Sequence, residues 1–254
     1  MRGFRAFLIK EVHEILRTWR IWVLPGILLF FALSGPILAL FTPELLKSVT
    51  GSQPGLVIEL PDPTWRDAYL QWTKNLAQLV TYALVITLGG LVSSERKGGT
   101  AVLVLTKPVT RAAFVLAKFV SQAALLAVTT LLGAAATWLV TLAAFGEAPL
   151  GVLASSTGVW LAWGVLVVAI MTLASTLVNS QAGAAGLGFG ALIVLSIATL
   201  WGPALKYSPA GLMSAPSAIV VGEGTSLTLP LLTALGLAIV AVFMAVRTFA
   251  RTEL

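Results

Sequence analysis

Few residues in this chain have the types and spacing that chemistry needs. His13 is the only histidine among 254 residues, and there is no cysteine. Thiolate nucleophiles, disulfides and thiolate-held metals are excluded, and a lone histidine on a polar helix face reads as solvated rather than metal-bound. An intramembrane hydrolase needs a Ser–His pair or two aspartates at depth. Here Asp62 and Asp67 fall in a Pro-rich loop, and no Gly-x-Ser-x-Gly occurs. Without a Gly-x-x-x-x-Gly-Lys-Ser/Thr loop, the chain is not expected to bind and hydrolyse ATP by itself. The distinctive segment is a short one rich in charge. Ser94-Glu95-Arg96-Lys97-Gly98-Gly99 leads into Thr100-Ala101-Val102-Leu103-Val104-Leu105-Thr106, then Lys107-Pro108-Val109-Thr110-Arg111. It reads as a charged turn, a short apolar helix from Thr100, a break at Pro108 and a new helix capped by Thr110. Exposed Val and Leu in such a place point to a protein docking site, or to a helix folded against the chain's own bundle.

The elements around that segment are membrane spans. Hydrophobic residues make up 58% of the chain and charged residues 10%, against about a quarter in soluble domains. From Phe119 to Leu205 the only charge is Glu147. A bilayer core of about 30 Å needs roughly 20 apolar residues in helix, and six segments qualify, at about 20–41, 70–92, 114–145, 152–177, 182–201 and 227–248. The expectation is an all-α polytopic membrane protein, one transmembrane domain over residues 1–254. The third segment is oversized, about 48 Å at 1.5 Å per residue, and Lys118 is expected to mark an end protruding from the membrane.

Charge orients the spans. Arg2, Arg5, Lys10, Arg17, Arg20, Arg96, Lys97, Lys107, Arg111, Lys118, Arg247 and Arg251 lie on one side, facing only four acids. The positive-inside rule places both termini and the Ser93–Ala113 loop in the cytoplasm, so the net charge of +6 reports topology rather than nucleic-acid binding. Trp19 and Trp22 are expected at the inner interface, and Trp65, Tyr69, Trp72 and Trp201 at the outer one. No cleavable signal peptide is evident. Residues 1–19 read as an amphipathic helix in the headgroup plane, with Phe4, Phe7, Leu8, Val12, Ile15, Leu16 and Trp19 on one face and Arg5, Lys10, His13, Glu14 and Arg17 opposite. It suits a membrane surface and a docking partner equally.

The loops carry weaker signals. Thr42–Tyr69 is an outer loop broken by four prolines, in which Thr64 is the candidate cap of a helix leading into the second span. Ala210–Val221 is a short apolar stretch between spans five and six, of a length typical of re-entrant or interfacial helices. Gly186-x-x-x-Gly190 near the start of the fifth span is a small-residue motif for close helix packing.

The sequence also resembles a known family. Glu95-Arg96-x-x-Gly99-Thr100, a Leu-rich turn, Pro108-Val109-Thr110-Arg111 and Phe114-Val115-Leu116-Ala117-Lys118-Phe119 look like the signature of type-2 ATP-binding-cassette permeases, the six-span membrane subunits of ATP-driven exporters. The resemblance takes in the N-terminal helix, Tyr207-Ser208-Pro209 and the closing Arg247-x-Phe249-Ala250-Arg251-Thr252-Glu253-Leu254, while the Thr42–Tyr69 loop departs from the family pattern. It implies that Thr100–Leu105, with Leu103 and Leu105 as its apolar residues, is a coupling helix docked in a groove of a separate P-loop ATPase subunit, which carries the ATP and Mg. Arg96, Lys97 and Arg111 would pair with acidic residues there. Glu95 would tie the loop to the N-terminal helix at Arg5 or Arg17. The transport path would lie between two permease chains, alike or related.

Two other functions fit parts of this pattern. A secondary transporter is expected to hold intramembrane ionisable groups, and charges here lie only near span ends. An ATPase-coupled anchor or signalling subunit would use the same docking to drive an outer-face partner without moving a substrate. A path lined by Thr, Ser, Ala, Gly and large apolar residues favours a hydrophobic or amphipathic cargo over a strongly charged one.

Overall fold

The computed structural model describes residues 3–18, 20–50, 62–99, 110–224 and 226–251. The expected apolar helix Thr100–Leu105, and with it Thr100, Leu103, Leu105 and Pro108, falls on residues outside those described. Everything regular among the described residues is helix. An outlying helix α1 (Phe4–Arg17) precedes α2 (Arg20–Thr50). The second span is composite: α3 (Trp65–Asn75), a π turn at Leu76–Val80, α4 (Thr81–Leu88), a tight turn, and α5 (Ser93–Lys97). Then follow α6 (Arg111–Phe145), α7 (Leu150–Leu177), α8 (Gln181–Ala198), the short α9 (Gly202–Tyr207) and α10 (Gly211–Val221), and α11 (Thr228–Arg251).

Six of these segments are long and apolar enough to cross a membrane: Ile21–Leu45, Trp65–Lys97, Arg111–Phe145, Leu150–Leu177, Gln181–Ala198 and Thr228–Arg251. They coincide with the six expected spans but start and stop differently. The first helix runs on through Pro43 to Thr50, where the sequence suggested a loop from Thr42. Proline inside an apolar helix is tolerated when hydroxyls take up nearby carbonyls, and Thr42 Oγ1 donates to the Leu38 carbonyl at 2.6 Å. The second span begins earlier than expected, at Trp65. Its start is set by Thr64, whose backbone N–H and hydroxyl both donate to the Asp67 carboxylate, at 2.8 and 3.1 Å. Thr110 caps α6 as expected, its hydroxyl accepting from the Ala113 N–H at 3.2 Å.

The second and fourth spans form the buried centre, where Tyr69, Trp72, Trp160 and Trp163 fill the bundle with Leu28 and Leu76. Tyr69 and Trp72, expected at the level of the outer interface, face the interior of the bundle and not lipid. Both are fully buried, and the Trp72 indole N–H donates to Thr157 Oγ1 at 3.1 Å. Aromatics of that size bury too much apolar surface to be left at a rim when a cavity fits them. Gly133 makes the fit possible, since a Cβ there would come within 2.8 Å of the Trp72 ring. Thr137 and Thr172 inside the bundle satisfy their hydroxyls on their own helix, on the Gly133 and Val168 carbonyls.

Between the fifth and sixth spans, α10 is set into the bundle against α3 and α7, burying Leu212, Ala215, Pro216 and Val220. Ser217 shares a 3.1 Å hydrogen bond with Thr73 of the second span. The fifth span is the least buried of the six. Its inward stripe is Ala184, Gly188 and Leu192. A Cβ on Gly188 would run into the Met171 sulfur and approach Val85 Cγ1 to 2.9 Å, so Gly188 packs this span closely against the second and fourth. Gly186 and Gly190 are exposed, with nothing within 4 Å of a Cβ placed on either.

Candidate functional site

The described ends of the Gly98–Thr110 loop spring from a platform built by α1, α5, the first turns of α6 and the C-terminal ends of α7 and α11. Its centre is a cluster of charges. The buried face of α1 is Phe7, Glu11 and Ile15, one residue per turn. Glu11 thus stands inside the apolar stripe, while Val12 and Leu16, which helical periodicity alone would put on that face, are exposed. The expected face is rotated because Glu11 has a partner to reach. That partner is Lys118, two turns into α6 and fully buried. Its ammonium lies 3.1 Å from both Glu11 oxygens and in direct contact with Glu95 Oε1. Lys118 is thus buried inside the protein and paired with two carboxylates.

Lys10 closes the cluster from the outside, 3.0 Å from Glu11, 3.7 Å from Glu95 and in contact with Glu14. Glu95 therefore does tie the loop to the N-terminal helix, but through Lys10 and the shared Lys118, where Arg5 and Arg17 were the expected partners. Burial alone would lower the Lys10 pKa. The Glu14 hydrogen bond and the charges of Glu11 and Glu95 outweigh it and hold the ammonium above the ordinary lysine value. A lysine held high contributes its stabilisation at every pH below its ordinary 10.5, losing it only as pH rises through the raised value. The Lys10 pairs thus persist across the neutral range.

Aromatic stacking continues the platform. Phe114 lies between Phe7 of α1, ring centres 5.1 Å apart, and Phe249 of α11, stacked at 4.9 Å. With Leu91, Val92, Val115, Ala117 and Ala245 these rings make a second small core, separate from the one inside the bundle. Polar clasps hold the loop ends to it. The buried Ser175 hydroxyl of α7 accepts from the N–H groups of Val92 and Ser93, at 2.8 and 3.0 Å, and donates to the Gly89 carbonyl at 2.9 Å. That one side chain satisfies the break between α4 and α5. Arg96 donates to the Thr176 carbonyl at 3.1 Å, near the end of α7. Arg111 donates to Phe249 and Ala250 carbonyls at 3.3 and 2.9 Å, near the end of α11. Both guanidiniums sit where unpaired carbonyls and the negative end of the helix dipole favour a cation.

The residues that the sequence singled out separate into two sets. Glu95, Arg96, Arg111 and Lys10 are brought together in the platform. Lys97 and Gly99 are exposed at the loop's edge, Gly99 with φ 72°, a left-handed turn that suits glycine. Arg5 and Arg17 are exposed on α1. Sequence reasoning missed Glu11, Lys118, Ser175 and the stacked Phe114 and Phe249. A signal existed for the ion pair: a glutamate four residues from Phe7 and from Ile15, and a lysine inside an otherwise apolar helix. Ser175 offered none, because its value depends on a turn from another span.

Six apolar helices, a helix lying outside them and a braced loop between the second and third define a multi-pass membrane protein. Over residues 5–219 the chain matches the family described as ABC-2 family transporter protein, and it belongs to that family. It is 24% identical over 250 residues to the uncharacterized transmembrane protein YxlG of Bacillus subtilis (strain 168), covering 96% of this chain and 97% of that one.

Proposed function

We propose that this chain is the membrane-spanning permease subunit of an ATP-driven exporter, coupled through the Gly98–Thr110 loop to a separate cytoplasmic P-loop ATPase. Family membership supports the transporter assignment. The observation that carries the coupling is the platform: both ends of the loop are fastened to α1, α7 and α11 by the Glu95–Lys118–Glu11 cluster and by Arg96 and Arg111. A push on a loop held this way is delivered to several spans at once. In this reading Thr100–Leu105 is the coupling helix, with Leu103 and Leu105 entering the partner's groove. Arg96 and Arg111 brace the loop from within the chain, and the exposed Lys97 is left to meet acidic groups of the partner.

Both termini and the loop face the cytoplasm of the cell membrane, on the strength of the basic residues at that end. Each chain supplies six spans, and the path forms between two permease chains. The outward face of α8, with Gly186 and Gly190 clear of neighbours, supports such close contact with a second copy or a related chain. ATP and Mg bind the ATPase and not this chain. Between the ion cluster and the far end, the interior carries hydroxyls rather than charges, which supports a hydrophobic or amphipathic cargo.

Reconstitution of the permease with its ATPase in liposomes tests the function. ATP-dependent movement of an amphipathic probe, with turnover raised by that probe, is the expected result. Efficient export of a multiply charged polar solute would contradict the cargo assignment. Stable binding of an outer-face protein with no substrate-stimulated turnover would favour a signalling subunit instead.

A further inference from the structure

Beside the ion cluster, a cleft of about 150 Å³ opens between α2, the second span from Leu84 to Ser94, α6 and the first residue of α8. Leu24, Leu84 and Leu125 give it an apolar wall, and four polar side chains reach it. Three of those already bond to backbone. Thr87 donates to the Ala83 carbonyl at 2.7 Å, Gln181 to the Ile86 carbonyl at 3.3 Å, and Ser94 to the Gly90 carbonyl. The fourth, Gln122 of α6, has no hydrogen-bond partner among the described residues, although only 7% of it is exposed. Its amide atoms are not among the fully sealed polar atoms that lack a partner, so what stays accessible of the carboxamide opens onto the cleft, where a ligand's acceptor would complete it.

Depth says what that ligand is. Gln122 lies one helical turn, about 5.4 Å, beyond Lys118 along α6. Lys118 is the level at which the amphipathic α1 docks by way of Glu11. A bilayer has about 30 Å of hydrocarbon within about 40–45 Å including headgroups, leaving a polar layer roughly 5–8 Å thick on each side. With α1 placed in the headgroup plane, as its amphipathic pattern predicts, one turn below it is the level of the lipid esters. Esters are neutral, accept hydrogen bonds and carry an alkyl chain directly below, as the Leu24, Leu84 and Leu125 wall requires.

We propose that this cleft binds the ester region of a diacyl phospholipid from the leaflet on the basic face, the Gln122 amide donating to an ester carbonyl and the acyl chain running along Leu24, Leu84 and Leu125. The volume suits one ester with its adjoining methylenes rather than a whole lipid. The site stands on the cleft and needs no ATPase partner, so it is tested on the permease alone.

The experiment places the full chain in phosphatidylcholine nanodiscs doped with one of two photoreactive phosphatidylcholines. One has ester-linked chains and the other ether-linked chains, with the diazirine at the same carbon. Ethers keep the shape and lose the carbonyl acceptor. The ester probe should label cleft peptides about fivefold more than the ether probe, the worth of one neutral hydrogen bond. Gln122→Leu should bring the two probes level. Equal labelling by both probes in the unaltered chain, which needs no variant to fold, would overturn the proposal. So would an ester preference that survives Gln122→Leu.

Discussion

The Nζ of Lys118 lies 3.1 Å from each carboxylate oxygen of Glu11, joining a helix outside the spans to one inside them through a single buried ion pair. Neither residue is solvated: Lys118 is fully buried and Glu11 only 2% exposed. Charges taken from water to that extent are tolerable only when paired, and Glu95 from the loop shares the same ammonium. The N-terminal helix, the loop and the third span therefore move as one body or separate at a high cost.

Removing one partner should show this. Lys118→Met leaves the buried Glu11 and Glu95 with only the half-exposed Lys10 as a shared cation and should cost up to about 3–5 kcal/mol of stability, measured by unfolding in mixed micelles. It should also expose α1 to protease. Adding Glu11→Leu should recover part of the loss, because it removes the more deeply buried carboxylate and leaves Lys10 to Glu95. A single variant within 0.5 kcal/mol of the parent, about the range of ordinary surface substitutions, would mean that the pair does not hold α1.

Ser175→Ala removes the acceptor for two buried N–H groups, those of Val92 and Ser93. Leaving buried donors unpaired costs about 1–3 kcal/mol. Hydrogen exchange at those two amides should rise while exchange in the middle of α7 stays unchanged. Unaltered exchange at Val92 and Ser93 would show that the break between α4 and α5 is held by something else.

Gly188 and Gly186 make opposite predictions. Gly188→Val meets Met171 and Val85 and should destabilise the isolated chain by about 1–3 kcal/mol through overpacking. Gly186→Val points into open space and should leave monomer unfolding within about 0.5 kcal/mol. If α8 faces a second permease chain, Gly186→Val should weaken dimer recovery in crosslinking while the monomer remains intact. Equal destabilisation by both variants would contradict the helix rotation described here.

Much of the architecture was legible because its signals are local. Composition and run length mark six spans, Thr64 with Asp67 and Thr110 mark two helix starts, and Pro209 and Gly222 bracket the short helix before the last span. The errors arise where a distant partner decides. The α1 face was read by apolar periodicity, but Glu11 turns inward because Lys118 waits 107 residues away. Gly186 and Gly190 turn outward from this chain, and no motif pointed to Gly188, the glycine that Met171 and Val85 crowd. Arg96 and Arg111 look like free cations for a partner's acids. In the fold they hold the last carbonyls of α7 and α11, a role readable only once helix ends are placed in space.

The central claim is that the loop between the second and third spans docks an ATPase. The most direct measurement extracts the tagged chain from its native membrane in mild detergent and identifies what accompanies it, beside a Leu103→Glu variant. The account predicts a P-loop ATPase in about equal amount with the parent chain, and its loss from a variant that still inserts normally. A parent chain that purifies without an ATPase, or a Leu103→Glu chain that retains it with unchanged ATP turnover, would contradict the account.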